Sequence, residues 1–192
     1  MRFISLLALL SVGFSFNINS SYIKLLNSGS NFTPIKDSDV YFHISYIRPF
    51  NNQITYGAQW WPSNNLYMIG SYSNMKINND KSLYHSMSLG YSNKSWNLFF
   101  FNYNVIEMGV NRIRFYESKI HRWFYLGLKT RTNVENFILG FDVTRFFYDK
   151  WARSRFSINF SRKLSDKVHI YTNLINDDFN SFTPVIGFSL GL

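Results

Sequence analysis

The chain contains no cysteine. That excludes a disulfide framework and a thiolate metal site. The 4 histidines are scattered and lack paired carboxylate spacing, so no metal and no cofactor is expected. Charge is scarce: Asp, Glu, Lys and Arg together make up 16% of residues, against about 25% in ordinary soluble domains. Long apolar runs are missing as well. Beyond the N-terminus nothing approaches the roughly 20 consecutive apolar residues that a spanning helix requires. Acid is scarcer than base, 11 residues against 20, for a net charge of +9. A nucleic-acid domain would gather such cations on one helix or among exposed stacking aromatics. Here they fall mostly between apolar stretches, so no nucleic-acid partner is expected.

What is present is aromatic and alternating. Phe, Trp and Tyr make up 20% of the chain. The last ten residues read TPVIGFSLGL, with Ile186, Phe188, Leu190 and Leu192 apolar at every second position and Gly187, Ser189 and Gly191 between them. Side chains of a strand alternate faces with period two, so this is a ribbon with one greasy face and one small polar face. Left as a bare edge it would invite aggregation, and pairing it with the first strand of a barrel removes that edge. The stretch resembles the C-terminal closing strand of bacterial outer-membrane β-barrels. That family usually ends on an aromatic residue, where this chain has Leu192. The resemblance implies an all-β transmembrane antiparallel up-and-down barrel in the bacterial outer membrane.

The chain in order supports about ten strands, with eight or twelve as alternatives. Residues 1–16, MRFISLLALLSVGFSF, read as a secretory signal: Arg2 opens it, an apolar run follows, and Gly13-Phe14-Ser15 offers a small-x-small cleavage site. Residues 17–39 read as a periplasmic lead-in, and 40–192 as the barrel. Strands are expected at 40–48, 54–61, 66–75, 83–92, 96–106, 120–130, 136–147, 155–163, 168–175 and 183–192. Read this way, connections after the second, fourth, sixth and eighth strands are short and those after the third, fifth, seventh and ninth are longer. Outer-membrane barrels alternate in that manner, with short periplasmic turns and longer outer loops.

Alternation alone fits a soluble lipocalin-like carrier equally well, turned inside out. The minority face decides between them. It carries Ser, Gly, Asn, Thr and Tyr rather than the Lys and Glu of a water-facing wall. Such a face suits a cramped lumen, while Phe, Leu, Ile and Val suit lipid. Tyr46, Trp60, Trp61, Trp96, Trp123 and Trp151 near strand ends are expected to form interfacial girdles.

Several residues invite a chemical role. His43 and Ser45 lie on one face of the first strand, and some outer-membrane lipid esterases and deacylases use a His-x-Ser pair of that kind. The Asn-Gly or Asn that follows in those families is replaced by Tyr46 and Ile47, and the apolar Phe42 and Ile44 claim the lipid face. A lumen or rim pair is the simpler expectation, with a lipid hydrolase as the alternative. Lys129, Asp142, Tyr125, His121 and His169 are inward by phase, and Lys129 with Asp142 would compensate charge in the lumen. His85 is outward by phase. Arg112, Arg114, Lys119, Arg122, Lys150, Arg153 and Arg155 are placed in or beside outer loops, where they would meet lipopolysaccharide phosphates or another anion. The expected function is thus a non-enzymatic outer-membrane barrel with a structural, surface-interaction or narrow-pore role. Its partners would be outer-membrane lipid and lipopolysaccharide, with a small solute or a surface partner beyond them.

Overall fold

The structure, a computed structural model, describes residues 38–47, 53–77, 80–93, 100–115, 120–148, 151–176 and 182–192. The expected signal and nearly all of the expected lead-in lie outside these residues. Ten strands follow one another: β1 (Val40–Ile47), β2 (Gln53–Trp60), β3 (Leu66–Ile77), β4 (Asp80–Ser92), β5 (Tyr103–Phe115), β6 (Ile120–Val134), β7 (Phe137–Tyr148), β8 (Trp151–Ser165), β9 (Val168–Asn176) and β10 (Phe182–Gly191). Each pairs antiparallel with its neighbour in sequence, and β1 pairs with β10, so the sheet is a closed barrel. The closing ladder sets Phe42 against Leu190, Ile44 against Phe188 and Tyr46 against Ile186. Leu192 N–H adds a bond to Val40 O at 2.9 Å. Closure matters because an unpaired backbone group in hydrocarbon costs several kcal/mol, on the order of a whole hydrogen bond.

The period-two pattern sorts most side chains, although Leu128, Thr130, Thr132 and Val143 are buried on the outward phase of β6 and β7. Phe42, Ile44, Ile54, Tyr56, Met87, Met108, Ile158, Phe160, Ile186 and Phe188 all face outward and are exposed. Their neighbours Tyr41, His43, Ser45, Thr55, Ser86 and Ser189 face inward and are buried. The barrel is therefore apolar outside and polar inside, the reverse of a lipocalin. One end, the near end, carries β1's first residue and β10's last; the opposite end is the far end. Two-residue turns, Glu135-Asn136 and Asp166-Lys167, close the near end between β6 and β7 and between β8 and β9.

Three expectations are corrected. The fifth strand is not 96–106 but Tyr103–Phe115. The aromatic density of Trp96 to Phe101 drew the sequence reading toward it, whereas the alternation of Met108 and Val110 with Glu107, Gly109 and Asn111 is what forms the ladder. Second, connection lengths do not alternate. Only residues 78–79, 116–119 and 149–150 separate β3 from β4, β5 from β6 and β7 from β8, while the longest connection, 93–102, sits at the near end. The polar stretches KINNDKS and YDKWARS are largely strand. Where a barrel wall rises past the hydrocarbon, both of its faces meet water, so polarity marks the membrane edge rather than the end of a strand. Third, Trp61 and Trp123 are no girdle: both point inward, 2% and 6% exposed. Trp61 adjoins the outward Trp60, so it takes the opposite face, and Trp123 shares the phase of Tyr125.

Candidate functional site

The interior of the barrel is the site. At its heart lies Glu107, the fifth residue of β5, fully buried. Side chains from two other strands converge on it. From β3, the Tyr67 hydroxyl donates to Glu107 Oε2 at 2.5 Å. From β6, the Tyr125 hydroxyl donates to Oε1 at 2.9 Å, and Lys129 Nζ donates to Oε2 at 2.7 Å. Beside this group Arg131 grips Asp142 with both terminal nitrogens, Nη2 lying 3.2 Å from Oδ2, and Nη1 also reaches Thr130 O at 2.7 Å. Ser157 Oγ donates to Asp142 Oδ2 at 3.3 Å. Two carboxylates and two cations are thus compensated inside a space where a lone buried charge would cost several kcal/mol, on the order of half a small domain's stability.

Toward the near end an aromatic cluster caps this network. Tyr41, Trp61, Tyr67, Ile69, Tyr103 and Val105 pack together, all buried. The Trp61 ring lies 4.8 Å from that of Tyr67 and 6.2 Å from that of Tyr103, centre to centre. Trp61 N–H bonds to Asp39 O at 2.7 Å, which ties the β2–β3 connection across the start of β1.

Large inward side chains are matched to glycines on the next strand. The ladders pair Tyr67 with Gly90, Tyr171 with Gly187 and Tyr125 with Gly109. A Cβ at any of these glycines would overlap the facing tyrosine ring. The rings therefore lie flat against the wall, which only a hydrogen at that Cα permits. Flattened tyrosines leave the middle of the barrel to small residues: Ser45, Thr55, Ser71, Ser86, Thr144 and Ser157 face inward there. Several inward groups lack a protein partner among the described residues. They include both polar atoms of the Asn159 side chain, those of Gln59, Asn173 Nδ2, and the hydroxyls of Ser86, Ser88, Ser161 and Ser189. Buried polar atoms are nearly always hydrogen-bonded, so each of these leaves a donor or an acceptor open to a further partner in the interior.

Each residue singled out in the sequence has a definite place. Lys129, Asp142, Tyr125 and His169 are inward and buried, and His121, in their phase, is half-buried near the far end. The His169 ring packs edge-on to Tyr41 at 6.2 Å. His43 and Ser45 are also inward, with the His43 ring over Gly57. The exposed apolar side chains of this strand, Phe42, Ile44 and Tyr46, lie on the other side of the wall from that pair. Arg112 and Arg114 are not in a loop: they stand on β5, and Arg122 on β6. Arg153 and Arg155 are on β8, and Arg155 points into the lumen, its guanidinium 4.5 Å above the Phe146 ring. Lys119 and Lys150 lie outside the described residues. The sequence reading missed Glu107 and Arg131, the first placed in a loop and the second in a turn. The signal for both was the unbroken inward phase of Tyr103, Val105, Glu107 and Gly109 on β5 and of Tyr125, Gly127, Lys129 and Arg131 on β6.

No protein-family model matches the chain, and no curated protein does. Among solved structures the chain is similar to a KdgM porin, with a TM-score of 0.51 at 8% identity, the match covering 80% of this chain and 98% of that one. At that identity the likeness speaks for the fold: a small bacterial outer-membrane β-barrel.

Proposed function

We propose that this barrel sits in the outer membrane and forms a narrow aqueous pore, held nearly shut on its near side by the Glu107–Lys129 and Arg131–Asp142 network. The observation that carries the reading is the set of inward amides and hydroxyls with no partner among the described residues: Asn159, Gln59, Ser86, Ser88, Ser161 and Ser189. A barrel of purely structural role would gain by filling that space with interlocking apolar side chains, which need no hydration. Here the wall instead keeps water-binding groups along its middle. Charge-paired residues at the constriction set which solutes cross, as rings of charge do in other channels.

The pair His43 and Ser45 supports the pore reading rather than a lipid hydrolase, because both face the water-binding interior. A hydrolase would need nucleophile and base to meet an ester in the bilayer.

Planar-bilayer recording tests the proposal. The wild-type protein should give small unitary currents, and Glu107→Gln should raise their amplitude or frequency by loosening the grip of Lys129, Tyr67 and Tyr125. Silence from both proteins, with each shown to be folded by its heat-modifiable migration on gels, would remove the pore reading and leave a structural one.

A further inference from the structure

The outer wall near the far end carries a cluster of cations that the lumen does not use. Arg112 and Arg122 are directly paired across β5 and β6, and both are on the outward phase. Arg114 follows two residues on from Arg112, and His85 pairs with Arg112 from the other side, on β4. Cross-strand partners hold their Cβ atoms about 4.5–5.5 Å apart, and like charges set opposite one another destabilise a sheet. No carboxylate alternates onto the outward face of β3 through β7 among the described residues to relieve this one. Arg112 Nε is buried and has no hydrogen-bond partner among them either.

Position narrows the counter-ion. One step toward the near end on the same face lie Val110, next to Arg112, and Phe124, next to Arg122, both exposed, and Met108 continues the apolar belt. The Tyr72 and His85 rings pack edge to face at 5.3 Å beside the cluster, the polar-tipped aromatic arrangement found at a membrane–water interface. The cations therefore stand where the headgroups of surrounding lipid begin, and they point at that lipid rather than at bulk solvent or the pore. Guanidinium groups in neighbouring positions bind phosphate oxygens through paired N–H donors.

We infer that Arg112, Arg114 and Arg122, flanked by His85, form an external site for the phosphate-bearing headgroup of an anionic membrane lipid, its acyl chains lying along Met108, Val110 and Phe124. The occupant neutralises the Arg112–Arg122 pair, and the wall supplies both the charge and the greasy strip beneath it. The site is independent of whether the lumen conducts.

Native mass spectrometry of the full-length protein, released from mixed micelles, tests it with lipid A and phosphatidylcholine as probes. Wild type should retain lipid A in preference to phosphatidylcholine. Removing cations near a membrane surface weakens anionic-lipid attachment by roughly fivefold per arginine, so Arg112→Ser with Arg122→Ser should lose most of the retention. Arg162→Ser, at an exposed outward arginine at the near end of β8, serves as the control and should retain it. Heat-modifiable migration confirms that each variant is folded. Equal retention of the two lipids by wild type, or undiminished retention of lipid A by the double variant, overturns the site. Displacement of lipid A by millimolar inorganic phosphate would also overturn it, since the site would then recognise a free anion and not a lipid.

Discussion

Lys129 stands opposite Asp142 in the β6–β7 ladder, yet its ammonium reaches the other way, to Glu107 on β5, while Arg131 clasps Asp142. The four charges are interleaved over three strands rather than paired rung by rung. Each strand of the trio is thereby tied to its neighbour from inside as well as by its backbone.

Breaking that interleaving from one side should be expensive. Glu107→Ala leaves Lys129 buried without its carboxylate, and losing one member of a buried pair costs about 3–5 kcal/mol. Replacing both, with Glu107→Gln and Lys129→Met, should recover most of the loss. Urea unfolding in lipid vesicles, followed by tryptophan fluorescence, measures both. Equal destabilisation of single and double variants would show that the pair contributes no more than the shape of its side chains.

Gly90→Ala and Gly187→Ala should each destabilise the barrel by about 1–3 kcal/mol, because a methyl group there overlaps the Tyr67 or Tyr171 ring. Gly70 faces outward with open space around its Cα, so Gly70→Ala should leave stability unchanged. The temperature at which each variant loses its compact gel migration reports the difference.

Depth in the bilayer should grade the cost of an outward charge. Phe188 sits in the middle of β10 and Phe182 at its far-end start, both exposed. Phe188→Arg should cost about 2–4 kcal/mol and Phe182→Arg about 0–1 kcal/mol. Equal costs in vesicle refolding would place the apolar belt elsewhere along the wall.

The strand count and the sidedness of most residues were legible because period two is imposed by the backbone itself. A greasy neighbour at i±1 was enough to send Lys129, Asp142 and Tyr125 inward. What stayed hidden was where each strand stops. Glu107 and Arg131 are charged, and charge beside an apolar run reads as a loop when only composition is weighed. In the folded wall both are satisfied by side chains of other strands, Glu107 by Tyr67 two strands away and Arg131 by Asp142 across the β6–β7 hairpin. Which inward groups meet depends on the register of those strands. The same reasoning explains Arg112 and Arg122: their polarity was visible, but their direct pairing depends on the β5–β6 register.

One turn holds a residue in an unfavoured conformation. Glu135, in the tight connection between β6 and β7, has φ 54°, the left-handed region. A side chain there costs roughly 1–2 kcal/mol relative to glycine. Glu135→Gly should therefore raise the unfolding midpoint in urea, and a lowered midpoint would mean that the glutamate makes a compensating contact.

The seam between β1 and β10 also governs how the molecule is made. Its two halves are the first and the last stretches of wall to leave the ribosome, so no intermediate length of chain can seal itself. The apolar strands must be kept from pairing with other molecules until β10 has been made, because before then β1 has no partner on that side. A chain shortened by that one strand would present two raw margins, on β1 and on β9, each able to capture a neighbouring molecule.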